Sequence, residues 1–280
     1  MREDDRMTTA HQSTPARRGV LVTGASRGVG AEVARLFARA CGDRVAVHYR
    51  SSRPEADQVV AGLDGEGHVL VQGDLADPAQ VERLVADAAA GLGRIDVLVN
   101  NAALFAEDPA TQGRRLDLSV EHSSYEDWVS GWRRTTDVNL LGTANVTYLV
   151  ARHMLEVDPP AGLPRGRIVT VGSRGAYRGE PQVPAYGASK AGVHAMTQSL
   201  AVALAPHGIA CTGIAPGFIA TDMGAAVLDG PEGDAVRAQS PFGRVATPEE
   251  VARAVMALAQ PAAEWAAGAI LDFNGASYLR

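Results

Sequence analysis

Cysteine is nearly absent from this chain: only Cys41 and Cys211 occur among 280 residues, far apart in sequence. That scarcity excludes a disulfide framework and offers no zinc-ligand spacing, and it points to a reducing, cytoplasmic setting. Long apolar runs are also missing, and none approaches the roughly 20 residues that cross a bilayer. No membrane partner is expected. Positive charge is in deficit, with 26 lysines and arginines against 32 acidic residues and a formal net charge of -6. Without a basic block, nucleic acid is not expected as a partner. Residues 1–17, Met1 to Arg17, are polar and lack the apolar centre of a signal peptide, so they read as a flexible tail. Repeats, low-complexity tracts and interdomain linkers are lacking, which leaves residues 18–280 as one domain.

Within that domain, apolar runs of strand length alternate with helical periodicity. Strands are predicted at residues 19–22, 44–48, 69–71, 95–99, 167–171, 209–214 and 269–271, and helices at 55–63, 78–91, 125–156, 186–205 and 248–259. Such alternation implies parallel strands joined by right-handed crossovers, a doubly wound α/β sheet of seven strands whose ligands lie at the carboxyl ends. The first strand runs into Thr23-Gly24-Ala25-Ser26-Arg27-Gly28-Val29-Gly30 and then a helical pattern. Strand, glycine turn and helix form a dinucleotide-binding opening. Gly24 permits the tight turn, Gly28 lets backbone approach phosphate, and Gly30 lets the helix lie close to the sheet.

A second constellation is Tyr186-Gly187-Ala188-Ser189-Lys190. Four residues apart on a helix, the tyrosine and lysine project from one face, and an ammonium beside a phenol is expected to lower its pKa from about 10 toward neutrality. Such a phenol is a proton donor.

Taken in order, the glycine turn, Asp74, Asn100-Asn101-Ala102, Asn139, Ser173, Tyr186 with Lys190, and Pro216-Gly217 resemble the short-chain dehydrogenase/reductase family over residues 18–280. The resemblance implies a Rossmann-type, NADP-binding catalytic domain that passes hydride to a carbonyl carbon. In it Tyr186 is the acid, Lys190 assists and holds the nicotinamide ribose, Ser173 orients the carbonyl, and Asn139 anchors water linking Lys190 to solvent. Cofactor contacts are implied at Gly24, Ser26, Arg27, Gly28, Val29 and Gly30, at Asp74 and Leu75 near the adenine, and at Asn100 and Ala102 on the ribose. Pro216, Gly217, Ile219 and Thr221 would bracket the carboxamide and pyrophosphate, with Tyr186 and Lys190 completing the set.

Cofactor preference is read after the second strand, in His48-Tyr49-Arg50-Ser51-Ser52-Arg53-Pro54. An acid there would accept from an NAD ribose and repel a 2′-phosphate. Tyr49 stands in its place, and Arg27, Arg50 and Ser51 are expected to face the phosphate of NADP(H). Arg53 fits that role or an ordinary loop charge equally well.

Similarity is greatest to the β-ketoacyl-[acyl-carrier-protein] reductase branch, which implies a carrier-bound thioester as the small-molecule substrate. Pteridine and other ketone or polyol reductases are the second reading, and a non-catalytic dinucleotide-sensing scaffold is the third. Retention of all four catalytic-type residues favours an enzyme. Two segments, 104–124 and 157–165, look lengthened, 223–239 reads as a substrate lid, and association as a homotetramer through residues 125–156 and 184–205 is expected.

Overall fold

The computed structural model describes residues 17–105, 117–221, 225 and 227–280. The tail 1–16, the charges Glu107, Asp108, Arg114 and Arg115 of the first lengthened segment, and Met223, Gly224 and Ala226 at the start of the expected lid lie outside the described residues. Seven strands form one parallel sheet: β1 (Gly19–Val22), β2 (Arg44–Tyr49), β3 (Val69–Gln72), β4 (Val97–Asn100), β5 (Gly166–Val171), β6 (Ile209–Pro216) and β7 (Ile270–Phe273). Their spatial order is β3-β2-β1-β4-β5-β6-β7. The chain winds outward from β1 to β3, then returns to start again at β4. A crevice opens where those two directions part, at the carboxyl ends of β1 and β4.

Helices cover both faces. Alternate strand residues point to opposite sides. Val20, Val22, Val45, Val47, Val97 and Val99 pack with α1 (Gly28–Cys41), α2 (Arg53–Ala61) and, near the carboxyl end, α9 (Pro248–Leu258). Leu21, Ala46, Val71, Leu98 and Ile168 face the other layer, made by α3 (Pro78–Leu92), α5 (Thr143–Glu156) and the long α7 (Pro184–Leu204). Buried ion pairs fasten the amino ends of the strands, with Arg18 to Asp43 at 2.7 Å and Arg94 to Asp96 at 2.6 Å. Asp96 also accepts the Gly19 N–H at 2.7 Å, so the charges sit far from the crevice.

The single helix expected over 125–156 is broken. It consists of α4 (Tyr125–Thr136), a π-helical turn over Asp137–Gly142, and α5. Packing explains the wider turn: a Cβ at Gly142 would lie 2.4 Å from the Leu75 carbonyl oxygen, so this face is pressed onto the loop after β3. A short α6 (Gly175–Arg178) and a short α8 (Gly233–Ala238), the latter within the segment expected as a lid, were not expected as helices. Pro184 opens α7 two residues earlier than predicted, where its fixed φ suits a first helical turn.

His194 on α7 is 3% exposed, and neither ring nitrogen has a hydrogen-bond partner among the described residues. It stacks on Tyr177 with ring centroids 5.1 Å apart. Burial, then the charges of Lys190 and Arg280, pushes its pKa down to about 4, against a weaker opposing pull from Asp272. The unfolded chain binds this proton near pH 6.5, so the stabilising contribution is full above that pH and is lost as pH falls toward 4. From this group alone, stability at pH 5 is expected to be about 2 kcal/mol lower than at pH 7. His194→Phe keeps the stacking and removes the titration. Urea unfolding at pH 7 and pH 5 should show the acid loss shrinking by that amount, and an unchanged loss would refute the assignment.

Candidate active site

Thr23, at the end of β1, begins the turn that lines the crevice. Its Oγ1 accepts the N–H groups of Asn101 and Ala102 at 2.9 and 3.0 Å, binding the ends of β1 and β4 together. Gly24 and Gly28 have φ of 64° and 57°, in the left-handed region that favours glycine. A side chain at Gly30 would meet the Gly24 carbonyl at 2.3 Å, so this glycine brings α1 against the turn as expected. Arg27 caps α1 without a side-chain hydrogen bond, and the first turn has no acidic residue. The amino end of α1 therefore presents unpaired N–H groups to the crevice, the arrangement that receives a phosphate.

His48 was missed by the sequence reading. Its Nδ1 accepts the Gly24 N–H at 3.0 Å, while Nε2 lies 3.0 Å from the Gly73 carbonyl, to which it donates. The His48 carbonyl accepts the Ala25 N–H at 2.8 Å. One buried imidazole thus joins the glycine turn to the end of β3. Burial holds its pKa below the usual value, outweighing the Gly73 bond and the charge of Asp74, so it stays neutral as this bonding requires. Its only sequence signal was a polar residue closing an apolar strand.

Beyond β2, Tyr49, Arg50 and Ser51 line the crevice with Ser26, Arg27 and Val29. No carboxylate occupies the Tyr49 position. Arg53 does not join them: it pairs with Asp57 at 3.0 Å and donates to the Tyr49 hydroxyl at 3.1 Å, which resolves its role toward shaping the loop. Asp74 and Leu75 line the same wall. Burial works to raise the Asp74 pKa, yet hydrogen bonds from Arg134 and Ala76 and the charges of Arg134 and Arg50 hold it below the ordinary value. Arg134, 2.9 Å from Asp74, comes from α4 and was not anticipated.

Asn100 corrects an expectation. Its side chain turns from the crevice and donates to Thr147 Oγ1 on α5 at 2.8 Å. Asn101 lines the crevice with Ala102, and its amide donates to the carbonyls of Thr23 and Gly24 at 2.9 and 3.1 Å. On the opposite lip are Pro216, Gly217, Ile219 and Thr221, the last 3.5 Å from where a Gly28 side chain would begin.

At the crevice floor the ends of β5 and α7 meet. Ser173 and Tyr186 stand together there, the serine hydroxyl near enough to favour the Tyr186 phenolate. Lys190 Nζ donates to the Val171 carbonyl at 2.8 Å and lies 5.7 Å from the Tyr186 ring centroid. All three line the crevice. Phe105 meets the Tyr186 ring edge-on at 4.7 Å. Asn139 sits in the π-helical turn, off the crevice: its Oδ1 accepts the Leu104 N–H at 2.7 Å and its Nδ2 donates to the Leu104 carbonyl at 3.0 Å. The same Nδ2 reaches Ser189 Oγ at 3.1 Å. The Asn139 side chain is thereby committed to positioning the loop after β4, and any water link would fall to its backbone.

Acidification of Tyr186 by Lys190 is not what the geometry produces. Burial pushes the phenol up to about 12, with the nearby Ser173 hydroxyl opposing and the Glu180 charge adding to the rise. Burial brings Lys190 down to about 8. By the pH at which this phenol ionises, the ammonium has already lost its proton and offers no attraction. Near neutrality the pair is a protonated phenol beside a protonated amine, the state a proton donor needs.

The crevice fits a dinucleotide: a helix amino end and positive-φ glycines for the pyrophosphate, and a buried ammonium with three donors, one of them given to Val171, for ribose hydroxyls. Comparison with known proteins agrees. The family model described as enoyl-(acyl carrier protein) reductase matches residues 24–275. L-rhamnose 1-dehydrogenase (NAD(P)(+)) of Sphingomonas sp. (strain SKA58) is 34% identical over 93% of this chain and 96% of its own length. The 3-oxoacyl-[acyl-carrier-protein] reductase of Synechocystis sp. is 35% identical over 91% and 94%. A short-chain dehydrogenase from Burkholderia cenocepacia J2315, solved in complex with NADP, superposes with a TM-score of 0.79 at 32% identity, covering 93% of this chain and 97% of that one. The seven-stranded fold, the crevice and these matches together establish that this chain belongs to the short-chain dehydrogenase/reductase family of oxidoreductases.

Proposed function

We propose that the protein interconverts a carbonyl and an alcohol with NADP(H), using Tyr186 as the proton-transferring group. The observation that carries this reading is that Ser173, Tyr186 and a buried Lys190 anchored to β5 line the crevice floor together. When bound, the nicotinamide supplies or accepts the hydride at the reacting carbon. Tyr186 gives its phenolic proton to the oxygen during reduction and takes one during oxidation. Ser173 holds that oxygen by hydrogen bonding, while the backbone N–H of Gly175, 3.0 Å from Ser173 Oγ, keeps the serine in place. Lys190 is held to β5 by Val171, which leaves further donors for ribose hydroxyls.

Preference for NADP(H) follows from Tyr49 in place of a carboxylate and from Arg27 and Arg50 at the same end of the crevice. Both arginines are exposed at the rim, where charge-assisted bonds to a 2′-phosphate form readily. The Burkholderia relative was solved with NADP, which supports the same choice. For substrate, relatives named for an acyl-carrier thioester and for a sugar stand at nearly equal identity. Assembly as a homotetramer accords with exposed Tyr125, Tyr148 and Val202 on α4, α5 and α7. Val193 and Leu204, by contrast, are buried in the chain's own core.

Tyr186→Phe should retain NADPH affinity and lose turnover by about 10²–10⁴-fold, measured by cofactor titration and absorbance at saturating substrate. Near-normal turnover would remove Tyr186 from the reaction. Arg27→Ala with Arg50→Ala should weaken NADPH binding by roughly 10- to 100-fold, the worth of one strong charge-assisted bond, and leave NADH binding almost unchanged. Calorimetric titration of both cofactors checks this, and tighter NADH than NADPH binding by the wild type would overturn the preference.

A further inference from the structure

We infer that Glu180 reads the substrate, and that this substrate carries a hydroxyl donor beside the reacting carbon, as polyols and sugars do. The inference rests on the oxidoreductase reading above and names the substrate class of that site.

Glu180 follows Gly179, whose φ of 78° turns the chain between α6 and α7. This turn folds the side chain back over Gly175. A Cβ added at Gly175 would lie 2.9 Å from Glu180 Oε1 and 3.3 Å from Ser173 Oγ. One small region of space therefore touches both the carboxylate and the serine that holds the reacting oxygen, and those distances place the two oxygens within about 6 Å of each other. On the other side, the Glu180 Cβ is 4.0 Å from where a Gly187 side chain would begin, next to Tyr186. Two glycines thus leave room for the Glu180 side chain, with its carboxylate on the Ser173 side. Its charge is felt at the Tyr186 phenol, which it pushes upward.

Among the described residues the carboxylate accepts no side-chain hydrogen bond and forms no close ion pair, although its charge is felt by Arg174; the bond Glu180 accepts is to its backbone carbonyl, from the Val183 N–H at 3.0 Å. The nearby cations are engaged elsewhere. Arg174 binds Gln239 Oε1 at 2.5 Å and Ser277 Oγ, and Arg178 binds the same Gln239 oxygen at 2.8 Å. Glu180 is half-buried and its carboxylate only accepts, so a donor placed there makes a bond that no described side chain supplies.

A ligand that donates at this point satisfies it. A hydroxyl one or two carbons from the carbonyl or carbinol oxygen on Ser173 spans the gap between Ser173 and Glu180. A β-ketoacyl thioester has only acceptors near its ketone, so it would leave the carboxylate desolvated and unpaired. An anionic group at the same place would be repelled. Phe105, edge-on to Tyr186, supplies an apolar wall for the carbon skeleton and does not compete for the hydroxyl.

The test uses the purified full-length enzyme with NADP(H). Oxidation of xylitol, L-rhamnose and cyclohexanol, and reduction of acetoacetyl-coenzyme A, are compared for the wild type, Glu180→Leu and Glu180→Gln. The wild type should favour the polyhydroxylated substrates over cyclohexanol in kcat/KM by about 100-fold, a donor-to-carboxylate bond of about 2–3 kcal/mol. Glu180→Leu should lose at least about tenfold of that preference through KM, with kcat changed by less than about threefold. Glu180→Gln, which keeps one acceptor oxygen, should recover part of it. NADPH affinity and Tm should be unchanged in both variants, which separates substrate reading from a structural role. A preference that survives in Glu180→Leu, or a wild type that handles acetoacetyl-coenzyme A or cyclohexanol as well as the polyols, overturns this inference alone. Absence of any NADP(H) turnover overturns the oxidoreductase reading and this one with it.

Discussion

The bond from the Lys190 ammonium to the Val171 carbonyl ties the helix carrying Tyr186 to the strand that ends at Ser173. Everything at the crevice floor depends on that tie. Without it, the buried amino half of α7 would keep only the Asn139–Ser189 bond as a polar anchor, on a different side chain from the one that faces the crevice. The tie also accounts for the cost of the arrangement. An ammonium that is 4% exposed is held protonated near neutrality with its pKa brought down to about 8, close to the limit at which burial would discharge it. The site accordingly spends stability on a charge that the fold itself does not neutralise, as functional sites commonly do.

Around this floor the crevice is assembled from loops held by side chains of neighbouring strands. Thr23, Asn101 and His48 bond to backbone groups of the glycine turn and of the ends of β2, β3 and β4, so the carboxyl edge of the sheet is cross-linked by polar contacts. Asn139 does the same for Leu104, beside the aromatic wall. The buried ion pairs that fasten the sheet lie at its opposite edge. Rigidity and recognition are therefore built at different ends of the same strands, which leaves the crevice free to vary in its outer residues while its floor stays fixed.

Much of this was legible in the sequence, for definite reasons. A parallel, doubly wound sheet follows from apolar runs alternating with helical periodicity, and the close approach of α1 follows from glycine at positions 24 and 30, because local sequence carries both. What escaped depends on contacts between distant segments. The π-helical turn arises where Gly142 presses on Leu75, and helical periodicity does not report that pressure. Arg134 reaches Asp74 across the fold, and Asn100 rather than Asn101 turns inward because Thr147 receives it. The direction of the Tyr186 shift was misread for the same reason. Spacing on a helix places a cation near a phenol, but burial is set by the whole chain, and here it outweighs the neighbouring charge.

The relatives are named for a sugar and for an acyl-carrier thioester, and the chemistry proposed for this chain rests on Ser173, Tyr186 and Lys190. A crystal structure of the protein with NADP(H) bound is the most direct measurement of whether that floor is where hydride and proton are exchanged. The account predicts the nicotinamide seated against Tyr186 and Lys190, with the 2′-phosphate beside Arg27 and Arg50. A nicotinamide lying outside the crevice, or a Tyr186 hydroxyl turned away from it and from Ser173, would contradict that placement.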